Sequence, residues 1–269
     1  MGWRPDLPDF RDHIFDEAQS KSLSASSPTA ALPTKTIVPK FKVPVFDQGY
    51  LGSCVGNAIS TMMSYTRQVA PRSRLQIYYE ARRLIGETHL DEGAYIRDGI
   101  KVISNLGAGR EAWWPYDETK FDVDPPLTVD RDALLRKIFN YSRLLTGDDF
   151  KTCLAKGFPF VIGFSVYDIF LGTRTGRFGI LPMPRSTEVL RGGHAVCVIG
   201  YDMDFRSSDW AKAAIAAGFP AAEIPQSVYI VRNSWSDKWG NKGDFAVDTR
   251  YFENPGLASD AWTIRKTKA

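Results

Sequence analysis

The chain has 269 residues, of which 43% are hydrophobic and 24% are charged, and its formal net charge at pH 7 is +3. Such a chain is long enough to form a globular enzyme of two lobes, and a monomer is expected. The small basic excess lacks the density of a nucleic-acid-binding surface, and no apolar run approaches the roughly 20 residues that cross a membrane. Neither nucleic acid nor a membrane is therefore expected as a partner.

The first 42 residues are predicted to form an N-terminal segment and a linker that precede the two lobes. Residues 2–12 are aromatic and interrupted by proline, and residues 18–33 are rich in Ser and Ala, as linkers often are. The start of the chain has no apolar stretch that would make a signal peptide. We therefore expect a cytoplasmic protein, or one that is exported by a route without a classical signal.

Residues 43–141 carry the periodicity of helices. After Cys54, apolar residues recur at helical spacing, which predicts a helix over residues 54–67 that starts at the cysteine. Similar patterns predict helices over residues 74–84, 96–105 and 131–135. This part of the chain is therefore expected to form a helical lobe.

Residues 142–269 shift to short β-rich runs, after one amphipathic helix that contains Cys153. These runs are rich in β-branched and aromatic residues, and they indicate a β lobe. The predicted strands cover residues 160–166, 194–201, 227–232, 243–247 and 262–264.

Two other stretches of this lobe are predicted to lie between strands. Residues 172–190 are rich in Gly, Pro and Arg, and they are expected to form a long loop that borders the cleft between the lobes. Residues 203–226 form an insertion, in which a short alanine-rich helix is predicted to end at Gly218.

Cys54 follows a glycine-rich turn and stands at the start of a predicted helix. The partial positive charge of a helix N-terminus stabilises a thiolate, and a nearby imidazolium can lower a thiol pKa from about 8.5 to about 3.5–7.5. Of the three histidines, His194 has suitable surroundings, because two glycines precede it and a β-rich run follows it. Asn233 ends another predicted strand, where its amide can accept the imidazole ring proton and leave the other nitrogen for the thiol.

Three blocks of sequence resemble the active-site blocks of papain-like cysteine proteases, in the same order and at compatible separations. They are residues 48–54, 193–195 and 233–235. The resemblance covers about residue 43 to the C-terminus, and the pattern is most similar to that of the compact bacterial members. It implies an α+β fold in which a helical lobe and an antiparallel, barrel-like β lobe enclose the active-site cleft.

Position by position, the resemblance implies that Cys54 is the nucleophile and His194 the general base and then the general acid. Asn233 would orient the imidazole, and Trp235 would shield the bond between the two residues from water. Gln48 would join the backbone N–H of Cys54 in an oxyanion hole. We expect a thiolate–imidazolium pair to exist before substrate arrives.

The same resemblance assigns the substrate cleft and the role of the cysteines. Gly93 and Ala94 match the segment whose backbone pairs with an extended peptide or protein substrate, and Gly193 and Trp235 are expected to contribute to substrate binding beside them. Where secreted members usually have a cysteine for a disulfide, this chain has Leu51. Because the chain has three cysteines without short spacing, no structural disulfide is expected. The cysteines and histidines are also too scattered for a metal site, so no metal or other cofactor is expected.

Three functions fit these residues, and a cysteine peptidase is favoured because the four catalytic positions occur together. The alternatives are another acyl transfer on the same triad, such as deamidation, transamidation or isopeptide cleavage, and a silent peptide-binding module. The N-terminal segment is interpreted either as a pro-segment that covers or lines the cleft or as a strap on the surface of the β lobe.

Overall fold

Helices dominate the first half of the described chain and strands dominate the second half. The computed structural model describes residues 2–15, 31–38 and 41–265. The α-helices are α1 (Cys54–Arg67), α2 (Arg74–Arg83), α3 (Ile96–Asn105), α4 (Leu127–Leu134), α5 (Gly147–Ala155), α6 (Asp168–Leu171), α7 (Thr173–Phe178), α8 (Asp209–Ala216) and α9 (Thr249–Phe252). The strands are β1 (Trp3–Arg4), β2 (Lys35–Ile37), β3 (Ala94–Tyr95), β4 (Tyr141–Leu144), β5 (Phe160–Tyr167), β6 (Ile180–Leu181), β7 (Leu190–Asp202), β8 (Val228–Arg232), β9 (Asp244–Asp248) and β10 (Ala258–Ile264).

Helix α1 joins the two lobes. It contacts α2 and α3 on the side of the helical lobe and β7 on the side of the sheet. The side chains of Val55, Ile59 and Met62 recur at helical spacing and are fully buried, and each contributes roughly 1.5–3 kcal/mol to folding. Because α1 is held on both sides, its first residue has a fixed position between the lobes.

The β lobe is built on an eight-stranded sheet. Seven strands follow the order β4-β10-β5-β7-β8-β9-β6, and β2 also pairs with β7. Successive side chains of β5 point to opposite faces, so Val161 packs in the core shared with α1 while Phe160 and Ile162 pack in the core of the β lobe. Both faces of the sheet are therefore apolar, and the sheet is fixed against the helical lobe.

The hairpin of β7 and β8 brings distant parts of the chain to one end of the sheet. The strands are antiparallel, and Cys197 on β7 lies opposite Arg232 on β8. His194 on β7 and Asn233, which directly follows β8, consequently lie at the same end. Residues 203–226 connect the two strands at the other end, so the insertion leaves this end of the hairpin unchanged.

The helix predicted within the insertion is present as α8. The Ser208 side chain caps it by accepting a hydrogen bond from the Ala211 backbone N–H. Gly218 follows the helix with a φ of 100°, a conformation that glycine adopts without strain.

Several predicted boundaries differ from the structure. Strand β7 begins at Leu190, so His194 lies within the strand and not at its first position. The loop predicted over residues 172–190 contains α7 and β6, because the two residues of β6 pair with the distant strand β9, a contact that local sequence does not reveal. Helix α4 begins at Leu127, directly after Pro126, and ends before the predicted residue 135.

The described parts of the N-terminal segment contact both lobes. Strand β1 pairs in parallel with β3 of the helical lobe, with Trp3 opposite Ala94. Ile14 forms a bridge with Arg143 on β4, and β2 pairs with β7. Residues 16–30, which include most of the predicted linker, lie outside the described residues. The domain boundaries at residues 42 and 141 stay predictions.

Candidate active site

Cys54 is the first residue of α1 and is fully buried. Its Sγ atom accepts a hydrogen bond from the backbone N–H of Ala195, at 3.4 Å. Since Ala195 is the neighbour of His194 on β7, the thiol lies against the strand that carries the imidazole. The unpaired amides of the first turn of α1 provide the positive end of the helix dipole at the sulfur.

His194 and Asn233 form the hydrogen bond that the sequence predicted. The His194 Nε2 atom lies 2.8 Å from Asn233 Oδ1, which also accepts the Ser234 backbone N–H. The bond from the Ser234 N–H identifies this atom as the amide oxygen, and an amide oxygen can only accept, so Nε2 carries the ring proton. The Nδ1 atom has no hydrogen-bond partner among the described residues. His194 therefore presents an unprotonated nitrogen that can take a proton from the thiol.

Aromatic rings enclose the imidazole. The Trp235 ring lies 4.9 Å from the His194 ring, measured between centroids, and the two planes are inclined by 30°. Phe164 and Phe170 lie at 5.8 Å and 5.9 Å. Water is kept away from the bond between His194 and Asn233, which strengthens that bond in a lower local dielectric.

Gln48 is buried in the turn that leads to Cys54. Its Nε2 atom donates to the Leu51 carbonyl at 2.8 Å, and its Oε1 atom accepts from the Ser234 hydroxyl at 2.6 Å. Because Ser234 holds the oxygen, the amide nitrogen faces the turn that carries the cysteine, and one of its two N–H groups is free for a further bond. Sequence reasoning did not single out Ser234, although its position directly after Asn233 was a usable indication.

The N-terminal segment lies over the thiol and the imidazole. The Gly2 carbonyl accepts the Ala94 N–H at 2.8 Å, and the Gly2 backbone N–H lies near enough to the Cys54 thiol to oppose the rise of its pKa. The Trp3 ring lies so close to Gly163 and Gly193 that a Cβ atom at either position would come within 2.0 Å or 2.6 Å of it. Cys54 and His194 are both 0% exposed. The segment thus occupies the place where Ala94 and Gly193 were expected to meet a substrate.

A hydrogen bond from Ala94 to an extended backbone accords with the role expected of this residue. Gly93 precedes it with a φ of 85°, and a Cβ atom at Gly93 would come within 2.1 Å of the Gly2 carbonyl oxygen. Glycine at this position therefore permits the close approach of the covering chain. The roles of Gly93, Ala94, Gly193 and Trp235 in substrate binding stay predictions.

Polar contacts fix the covering segment at its other end. The Trp3 indole donates to Asp260 Oδ2 at 3.2 Å, and the backbone N–H of Asp6 donates to the same oxygen at 2.8 Å. Asp12 accepts two bonds from Arg97, both at 2.8 Å, and one from Arg143 at 2.6 Å. These contacts link the segment to α3, β4 and β10, so it contacts both lobes at several points.

Burial controls the protonation of Cys54 and His194. Burial raises the pKa of the Cys54 thiol, although the N–H groups of Ala195 and Gly2 oppose the shift. Burial also lowers the pKa of His194 to about 4, although its bond to Asn233 opposes that shift. Burial thus favours the neutral form of each group in this state. The thiolate–imidazolium pair predicted from the sequence is therefore disfavoured here, because both charges would lose their hydration.

The remaining cysteines have no part in the site. All three cysteines are unpaired, as expected, and Cys153 and Cys197 are buried, with thiol pKa values raised by burial. Within residues 2–15, 31–38 and 41–265, no group of three or more His, Cys, Asp or Glu side chains is arranged to hold a metal ion. In the same part of the chain no helix is long and apolar enough to cross a membrane.

The fold and this site define a thiol hydrolase with a Cys, His and Asn triad, and comparison with known proteins identifies its family. Residues 38–264 match the model of the papain family of cysteine proteases. A peptidase C1-like protein of Acanthamoeba polyphaga mimivirus is 36% identical over 235 residues, which are 82% of this chain and 69% of the viral protein. The chain therefore belongs to the papain family of cysteine proteases and is a hydrolase.

Solved structures agree with the family. The crystal structure of xylellain, a cysteine protease from Xylella fastidiosa, has a TM-score of 0.83 and 33% sequence identity, and the match covers 99% of this chain and 96% of that one. Bromelain from Ananas comosus, in complex with the inhibitor E64, has a TM-score of 0.63 at 18% identity, covering 87% and 100% of the two chains, and shows the fold alone. The predicted two-lobe papain-like fold is confirmed.

Proposed function

We propose that the protein hydrolyses peptide bonds through an acyl-enzyme on Cys54, and that its N-terminal segment keeps the site inactive until it moves away. The hydrogen bond between His194 and Asn233 is the observation that carries this proposal. It leaves Nδ1 of the imidazole unprotonated, on a strand whose next residue contacts the thiol. This is the arrangement that a general base and its nucleophile require.

The reaction begins when the segment leaves and water enters the cleft. Hydration lowers the cost of charge separation, so the proton of Cys54 passes to Nδ1 of His194. The thiolate attacks the substrate carbonyl carbon, and the oxyanion accepts hydrogen bonds from the Cys54 N–H and the Gln48 amide. The imidazolium then gives its proton to the leaving amine, which departs and leaves a thioester. His194 finally deprotonates a water molecule that attacks the thioester and releases the acid.

Two observations support inhibition by the segment. The backbone of Gly2 bonds to Ala94 and lies beside the Cys54 thiol, where a substrate backbone would have to lie. The burial that results opposes ionisation of Cys54 and His194. The segment therefore acts in two ways, since it excludes the substrate and it suppresses the ion pair.

Hydrolysis of an unbiased peptide library, followed by mass analysis of the products, tests the proposed reaction. We expect products that gain one water molecule at a peptide bond. Products in which an amine replaces the leaving group, or in which a side-chain amide alone is hydrolysed, would instead identify one of the other acyl transfers. Labelling of Cys54 by a thiol-directed peptide inhibitor without any turnover would support a binding module.

The charges around the segment predict how pH controls it. In the hydrogen-bonded cluster that holds the segment, the carboxylates of Asp12 and Asp260 share the guanidinium groups of Arg97 and Arg143. Asp6 accepts bonds from neutral donors, the Trp262 indole and the Arg97 backbone, each at 3.3 Å. Burial, followed by the charge of Asp260, raises the pKa of Asp6 to about 7. Below about pH 7 the covered state therefore holds a proton on Asp6.

An exposed aspartate has a pKa of about 3.9, so the open state releases this proton at lower pH than the covered state does. The covered state then binds more protons between about pH 4 and 7, and raising the pH through this range favours opening. The rate of Cys54 alkylation is measured at each pH for the wild type and for Asp6→Asn, and we expect the ratio of the wild-type rate to the variant rate to rise about tenfold or more between pH 5 and 8. The ratio does not depend on ionisation of the thiol, because Cys54 ionises in both proteins.

Asp9→Asn is the matched control, because the hydrogen bonds of the Asp9 side chain within the described part of the chain are with Arg11 of the same segment. Its alkylation should follow the wild-type pH profile. If the ratio of the wild-type alkylation rate to the Asp6→Asn alkylation rate is constant from pH 5 to 8, protonation of Asp6 is not coupled to opening of the segment.

A further inference from the structure

The ion pair of Arg74 and Glu111 lies beside the turn that carries the oxyanion donors. The Nε and Nη2 atoms of Arg74 donate to Glu111 Oε1 at 2.9 Å and 2.7 Å. The guanidinium lies between the rings of Phe46 and Tyr116, at 4.3 Å and 4.1 Å from their centroids. Such contacts between a cation and an aromatic face are favourable, and they fix the position of Arg74.

A directed chain of hydrogen bonds leads from Arg74 to this turn. Arg74 can only donate, so its bond to Asn57 Oδ1 at 3.0 Å fixes the orientation of that amide. The Asn57 Nδ2 atom then donates to the Ser53 hydroxyl oxygen at 3.0 Å. The Tyr116 hydroxyl donates to the Gln48 carbonyl at 2.8 Å, because a carbonyl can only accept. The remaining contact, 2.5 Å between Ser53 Oγ and the Tyr116 oxygen, therefore has Ser53 as its donor.

Tyr116 consequently connects the two ends of one turn. Gln48 begins the turn and supplies the side-chain amide of the proposed oxyanion hole. Ser53 ends it, directly before Cys54, whose backbone N–H is the second donor. Burial raises the pKa of Tyr116 to about 12, so its hydroxyl keeps its proton at neutral pH.

We infer that Tyr116 is a positioning residue, which sets the distance between the Gln48 amide and the Cys54 N–H so that both reach the same oxyanion. This inference rests on the proposed function. Tyr116 acts through the backbone and the Ser53 hydroxyl, and it does not touch the substrate. Loss of its hydroxyl leaves the Gln48 carbonyl without this donor and frees the two ends of the turn to separate.

Tyr116→Phe tests this role in the full chain, because it removes the hydroxyl and keeps the ring against Arg74. Two reactions of Cys54 are compared. Acylation by an activated peptide ester passes through an oxyanion, whereas alkylation by a haloacetamide does not. Opening of the cleft is required for both, so the ratio of the two rates does not depend on how often the segment moves.

We expect Tyr116→Phe to lower the acylation rate about 10–100-fold, since a missing oxyanion donor costs about 10²–10³-fold and a displaced donor costs less. The alkylation rate should stay within about twofold of wild type. In turnover the loss should fall on kcat more than on KM. Ser53→Ala breaks the same chain of hydrogen bonds. The acylation rate of the double variant should therefore be only slightly below that of the less active single variant.

Tyr201→Phe is the matched control, because its hydroxyl also donates to a backbone carbonyl, that of Pro33, at 2.8 Å. It should leave the ratio of the two rates unchanged. Equal losses in acylation and alkylation for Tyr116→Phe, or no loss in either, would overturn the positioning role. A wild-type protein that is alkylated but never acylated would overturn both this inference and the proposed function.

Discussion

Cys54→Ala should lower peptide hydrolysis about 10⁶-fold, because no other group of the proposed mechanism can form the acyl-enzyme. His194→Ala should cause a loss of similar size, since the thiol then has no base. Asn233→Ala should retain a measurable fraction of the rate, because it orients the imidazole without exchanging protons. Initial rates on one peptide substrate, measured at saturating concentration, provide the comparison.

Each of these variants should be measured both alone and together with Trp3→Ala, so that a covered cleft is not mistaken for a missing nucleophile. Cys153→Ala is the control, because Cys153 is equally buried but lies on α5, away from the site. It should hydrolyse the substrate at the wild-type rate. A rate near that of wild type for Cys54→Ala would end the proposed mechanism.

Trp3→Ala should raise the rate of Cys54 alkylation about 100-fold or more, up to the limit set by a fully open cleft. Removing a buried tryptophan side chain costs about 3–5 kcal/mol, and each 1.4 kcal/mol changes an equilibrium tenfold. That cost falls on the covered state, in which the ring packs on Gly163 and Gly193 and its indole bonds to Asp260. Deletion of residues 1–33 should have the same effect, since it removes β1 and keeps β2.

Phe10→Ala is the matched control for the tryptophan, because Phe10 lies on the same segment and is 99% exposed. Its alkylation rate should equal that of wild type. If Trp3→Ala and the deletion both yield folded protein with wild-type alkylation and activity, the segment does not inhibit the enzyme, and the interpretation as a surface strap would be preferred.

The helices were predicted well where one face of the helix meets the core. The start of α1 at Cys54 and both ends of α3 match the structure, since buried side chains at helical spacing produce a strong pattern. The short elements were predicted poorly. Strands β1, β3 and β6 have two residues each, and each exists because a partner from a distant part of the chain supplies its hydrogen bonds. Local pattern carries no information about such partners.

The bond between His194 and Asn233 followed from the sequence, because an antiparallel hairpin places the two residues at one end whatever the length of the insertion between its strands. The two contacts of Gln48, one with Ser234 and one with Tyr116, could not be predicted from the sequence. They join positions 186 and 68 residues apart, the first pair across the two lobes and the second within the helical lobe, and only tertiary packing selects such distant partners.

The sequence by itself determined the chemistry of this protein, because the residue types at positions 48, 54, 194 and 233 permit a thiol nucleophile, its base and an oxyanion hole. Only the tertiary structure decided which protonation state of Cys54 and His194 is favoured. Cys54 and His194 are fully buried by packing that includes the segment with Trp3, and desolvation then favours the neutral thiol and the neutral imidazole over the ion pair. Burial is a property of what packs over a residue, and the chain that packs over this site lies about 50 residues from one catalytic residue and about 190 from the other.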